Sequence, residues 1–265
     1  MPHKLNAIVL VGILFLSQSE HSLAAEITYA AAINIAGLQR MLSQRIGKSY
    51  CQVGLKIDTD SSRQQLYDAI ALFDDNLSLL EEYANNEAVQ SALKNVRDLW
   101  TPVKATATDP ITLEGAKLVA YLNDDLLYAS HKVVQLLQDA SDTPHARLVN
   151  ISGRQRMLSQ RLAKLYMLQI WGINTLTIRD EIEVARNEFT GALATLQAAP
   201  ENTEAINQRL NIVAGEWTWV KQAMDMVDAD PFPKTMADVS ESILVNMHEI
   251  TKLYEKQAEN LPLEK

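Results

Sequence analysis

Two short stretches of this chain carry residue types at matched spacing that suit anion chemistry. Gly37, Arg40, Gln44 and Lys48 fall on one side of a helical wheel, and Gly153, Arg156, Gln160 and Lys164 repeat that side. Small residues beside Arg and Gln let two helices approach closely while still presenting donors. Brought face to face, Arg40 and Arg156 repel unless an anion lies between them. A planar oxyanion suits the parallel N–H pairs of guanidinium forks. Arg45 and Arg161 lie nearer the apolar side of the same helices, beside Asn34 and Asn150. That position fits support from an outer layer, or structural pairing. A plainer role stands next to the ligand-binding one: arginines paired with acidic residues of neighbouring helices would fix packing and bind nothing.

No other chemistry assembles from the residues. Ile46-Gly47-Lys48-Ser49 imitates the end of a phosphate-binding loop, but Leu42 stands where the earlier glycine is required and the setting is mid-helix. The single cysteine, Cys51, excludes a disulfide framework and reads as a buried small apolar residue. Neither a Cys-x-x-Cys-His haem attachment nor a Glu-x-x-His pair for a di-iron bundle occurs. His131 and His248 hold equivalent positions, and two histidines alone make a poor metal site, so both read as structural. The spacing yields no nucleophile with a base and an orienting group. The expectation is therefore a protein that is not an enzyme and needs neither cofactor nor metal. A balance of 24 Lys+Arg against 33 Asp+Glu gives a net charge of −9, with no basic stripe to neutralise phosphates, so nucleic acid is excluded as a partner.

The elements that must position these residues come in duplicate. Asn34 to Tyr50 recurs as Asn150 to Tyr166, with twelve of 17 positions identical at an offset of 116. The same offset pairs Phe73 with Phe189. After one inserted residue, Trp100 pairs with Trp217 and His131 with His248. Gly and Pro total only 17, which argues against all-β folds and their frequent turns. The fold class read from this is all-α: two tandem four-helix (up-down) bundle units, 26–142 and 143–265, related by internal duplication. Helices are predicted at 27–57, 61–85, 88–107 and 112–140, then at 144–174, 178–198, 202–228 and 235–260. Thr143 is expected to cap the helix that Pro144 opens. Ile35, Leu38, Leu42 and Ile46 form an apolar stripe expected to face the unit's own core, and Pro102 is expected to kink or end its helix.

Residues 1–25 read as a secretory signal. Lys4 opens them, Ala7 to Leu16 is apolar, and Ser22-Leu23-Ala24-Ala25 supplies small residues for cleavage. Ten apolar residues fall short of the roughly 20 a membrane span requires. No later segment is apolar enough to span, so a soluble periplasmic protein is expected once the signal is removed.

The repeated Asn-Ile-Ala/Ser-Gly-x-Gln-Arg-Met-Leu-Ser-Gln-Arg-x-x-Lys motif resembles the first helix of NarX-like/PilJ-type N-terminal domains. These are periplasmic helical sensor modules of nitrate/nitrite sensor kinases and of type IV pilus chemotaxis transducers. The resemblance implies that Arg40 with Gly37, and Arg156 with Gly153, hold a small anion such as nitrate or nitrite at an interface between two copies of this helix. It implies Arg45 and Arg161 as the second motif arginine. The Gln-Arg-Met-Leu-Ser-Gln-Arg form is closer to the pilus-transducer version than to the nitrate-sensor version. Because the motif occurs twice, one chain is expected to contain both halves of what the sensors assemble as a dimer. Relatives transmit through a membrane helix and an output region; here neither is present in the sequence, so the signal is expected to pass to a separate, membrane-bound signalling protein. The alternative is a periplasmic interaction or adaptor protein without a small ligand, associated with type IV pilus or chemotaxis-type signalling.

Overall fold

A computed structural model describes residues 27–141, 144–229 and 231–259; the signal segment and Thr143 lie outside the described residues. The described residues form eight helices and no strand. They are α1 Tyr29–Gly54, α2 Thr59–Tyr83, α3 Glu87–Thr108 and α4 Leu113–Ser141 in the first repeat. The second repeat supplies α5 Pro144–Ile170, α6 Leu176–Gln197, α7 Glu204–Asp225 and α8 Pro233–Glu259. The all-α class and its division into two four-helix units are as the duplication predicts.

Local chemistry sets the boundaries. Thr28 Oγ1 accepts from the Ala31 N–H, and Asn86 Oδ1 accepts from that of Ala88. Thr175 and Thr203 cap α6 and α7 in the same way. Pro144 and Pro233 open α5 and α8, where a missing N–H costs nothing. α1 stops short of the predicted 57 because Lys56 and Asp58 take φ of 60° and 39°. α5 stops short of 174 ahead of Gly172, whose φ of 88° leaves the helical region.

Pro102 does not end its helix, which was one of the two expectations for it, since α3 runs through it to Thr108. The ring removes one donor, to the Asp98 carbonyl. Pro102 and Asp98 are both exposed, so the missing bond lies on the solvent side of the helix.

α1 and α5 lie side by side at the centre of the molecule and run parallel. Gly37 faces the Arg156 guanidinium, Gly47 faces the Lys164 side chain and Gly54 faces Trp171, so contacts advance together along both helices. α4 and α8 run antiparallel to them on the two flanks, as the pairs Arg40–His131 and Tyr50–Thr112, then Arg156–His248 and Tyr166–Phe232, establish. One hydrophobic core passes through both repeats. Each repeat sets a phenylalanine against a tryptophan, Phe73 stacked on Trp100 at 4.1 Å and Phe189 tilted against Trp217 at 4.3 Å. Thr28 Oγ1 meets Glu259 Oε1 at 3.3 Å, so α1 begins where α8 ends.

The apolar stripe of α1 needs a second correction. Leu42 and Ile46 are buried as expected, but Ile35 and Leu38 are only half-buried. The polar side of the same helix is buried instead, because it meets α5. A helix packed on nearly all sides has no single core face.

Candidate anion-binding site

Where α1 crosses α5, the two glycines thin both helices. The Nη2 atoms of Arg40 and Arg156 each lie 3.4 Å from the point a Gly37 Cβ would occupy. They lie 3.7 Å and 3.0 Å from the corresponding point on Gly153. Both arginines are fully buried, at 0% exposure. Long helical side chains lean toward the N-terminus, so each guanidinium reaches back to the opposite helix. Arg40 Nη2 donates to Asn150 Oδ1 at 2.9 Å, and Arg156 Nη2 donates to Asn34 Oδ1 at 2.8 Å. Arg40 Nη1 donates to His131 Nδ1 at 3.2 Å, and Arg156 Nη1 donates to His248 Nδ1 at 3.0 Å. Among the described residues neither arginine forms an ion pair with a carboxylate, and neither Nε–H has an acceptor.

The electrostatics follow from that arrangement. Burial, then the neighbouring charges of Arg154 and Arg156, lowers the Arg40 pKa to about 9. Burial lowers Arg156 to about 10. His131 and His248 fall to about 4, again through burial first and the adjacent arginine second. Both histidines are therefore neutral at pH 7, with Nδ1 as acceptor and the proton on Nε2. They complete the shell around each guanidinium. Their matched positions in the two repeats are the signal by which sequence alone can find them.

The other expected residues sit further along the helices. Gln44 Nε2 donates to Ser43 Oγ at 3.1 Å, and Gln160 Nε2 donates to the Ser240 carbonyl at 3.0 Å, so both buried amides point their donors away from the arginines. Arg45 pairs with Glu241 at 2.7 Å, and Arg161 with Glu181 at 3.1 Å. Lys48 also meets Glu241, while Lys164 lies 4.0 Å from Asp124. Asp124 and Glu241 are equivalent positions, so each repeat supplies a carboxylate to the other's basic residues. Asn34 and Asn150, expected in a supporting layer, instead accept directly from the guanidinium groups. They are held in turn by Glu255, at 2.5 Å from Asn34, and by Gln138 beside Asn150.

This geometry defines a class: a doubled helical module with a buried pair of cations at its internal two-fold. The family profile of the type IV pili methyl-accepting chemotaxis transducer N-terminal domain matches at residues 23–124 and again at 140–243, and the chain belongs to that family. The family is a helical signalling domain. Comparison with curated proteins and with solved structures finds no match. No helix of the described residues is long and apolar enough to cross a membrane.

Proposed function

We propose that the chain is an exported, periplasmic sensory module that holds a small oxyanion, nitrate or nitrite, between Arg40 and Arg156 and signals through a separate membrane-bound partner. One observation carries this reading: two fully buried guanidinium groups approach one another with no carboxylate in direct contact with either, Glu188 and Glu255 acting only from beyond pairing distance. Burying an uncompensated ion costs several kcal/mol even after relaxation. An anion between the two would offset that cost and accept from the two Nε–H donors. The net charge of −9 opposes any anion from a distance, so local arginines have to do the holding.

Calorimetry with nitrate and with nitrite, on the protein lacking residues 1–25, tests the reading. Binding is expected in the wild type and lost in both Arg40→Ala and Arg156→Ala, because the site is shared. Silence of the wild type toward both anions overturns it, and loss in only one variant overturns the sharing.

A second reading, an adaptor that binds no small ligand, draws on a different face. α4 exposes Leu118, Tyr121 and Tyr128, where α8 carries Thr235, Asp238 and Val245 at the equivalent positions. Equal recovery of a membrane-anchored chemotaxis transducer with and without nitrate would favour it.

A further inference from the structure

The two sides of the arginine pair are not alike. On the first repeat's side a cavity of about 240 Å³ opens between α4 and α5, lined by Asp124, Tyr128 and His131 and by Arg154, Met157 and Arg161. His131 belongs both to this cavity and to the buried pair: its Nδ1 is 3.2 Å from Arg40 Nη1 and 3.5 Å from Arg154 Nη1. Arg154 is partly exposed and held by Glu188. On the opposite side His248 meets Arg156, but the position equivalent to Arg154 is Leu38 and that equivalent to Tyr128 is Val245. The second flank has Lys252 near His248, paired with Glu249, but among the described residues only the first flank sets an arginine against its histidine ring and beside a cavity.

We infer that the α4–α5 cavity is the passage by which a small oxyanion reaches Arg40 and Arg156, with Arg154 as its outer station and the His131 ring as its door. This rests on the anion reading above and adds the route. Arg154 presents a positive charge at the mouth that offsets the chain's overall negative field, which raises the local anion concentration and the rate of arrival. Exchanging its contact with Glu188 for the anion brings the ligand to the edge of the His131 ring. A small rotation of that half-buried ring then opens the way to Arg40. Leu38 on the other flank provides no such station.

The pseudo-two-fold supplies the control. Tyr128 and Val245 are equivalent and both well exposed, at 77% and 58%, so each can be changed to cysteine and capped with a bulky maleimide. Native Cys51 stays unmodified, since it is buried and its pKa is pushed up to about 12 by that burial. Exchange of ¹⁵N-nitrate is then followed by NMR, alongside calorimetry for Kd. The capped Y128C protein is expected to exchange nitrate at least tenfold more slowly with Kd unchanged, because a blocked passage slows arrival and departure alike. The capped V245C protein is expected to match the wild type. Arg154→Leu, which copies the Leu38 side, should slow association about tenfold at low salt and flatten its salt dependence. Wild-type exchange rates in capped Y128C, or equal slowing in both capped proteins, overturn the passage while leaving the anion reading intact. A loss of affinity in capped Y128C overturns it too, by making the cavity part of the binding site. Absence of any nitrate binding by the wild type overturns the anion reading itself, and the passage with it.

Discussion

His131 and His248 act as acceptors for arginine, and an acceptor of that kind is lost when it gains a proton. Their folded pKa, about 4, lies below the ordinary 6.5. Between those values the unfolded chain binds more protons than the folded one, so stability falls as the pH drops through that window. Urea unfolding at pH 7, 5.5 and 4.5 should show a steeper decline in the wild type than in a His131→Gln/His248→Gln variant. Anion affinity itself should be nearly flat from pH 6.5 to 8 and weaken as the pH approaches about 9, where half of Arg40 has lost its proton. Gly37→Ala makes a sharper test of the space between the guanidiniums. Its methyl would sit 3.4 Å from both Nη2 atoms, an ordinary contact distance, in the place an anion requires. Stability should hold or rise by up to about 1 kcal/mol, as a helical glycine gives way to alanine, while the nitrate-dependent rise in Tm disappears. At this scale the spacing put Gly37, Arg40, Gly153 and Arg156 on matched helix faces, and the family resemblance supplied the expectation that the arginines meet. Neither was enough to foresee what they touch. Reach along a helix depends on side-chain lean, and so Asn34 and Asn150 turned out to receive the guanidiniums while Gln44 and Gln160 donate elsewhere.

Among the elements, the flanking helices are fastened to the central ones by a repeated device. The Tyr50 hydroxyl accepts from the Thr112 N–H at 3.1 Å, just before α4, and the Tyr166 hydroxyl accepts from the Phe232 N–H at 2.7 Å, just before α8. Those N–H groups belong to helix starts, whose donors lack partners within the helix. Tyr166→Phe should therefore lower the unfolding free energy by about 1 kcal/mol, the usual net value of one such bond, measured by chemical denaturation. Helix positions were legible to within a few residues because turn formers and caps such as Asn86 mark them in the chain. The discrepancies have local causes. Lys56 and Asp58 adopt positive φ, which no periodicity announces, and Pro102 is tolerated because its missing bond faces water.

For the whole molecule, the decisive fact is that the two repeats exchange partners. Arg40 reaches Asn150, Arg156 reaches Asn34, Lys48 reaches Glu241 and Lys164 approaches Asp124, so each repeat supplies a polar partner to each of the other's buried cations, beside the histidine that each arginine finds in its own repeat. Separating them would leave charges buried without partners or open the core to water. Differential scanning calorimetry should show one transition, with calorimetric and van't Hoff enthalpies equal; two resolved transitions would refute the interlock. The duplication was plain in the sequence, and the four-helix content of each half followed from it. The parallel seating of α1 against α5 did not follow, because a repeat specifies two similar units and says nothing of which faces they share. That seating has a topological consequence. Because Thr28 and Glu259 touch, a short peptide could close the chain into a ring, and a new opening between Ser141 and Pro144 would let the second repeat be synthesised first. Such a circular permutant should fold to the same bundle, for in a molecule built on its own internal symmetry the order of the halves carries little information.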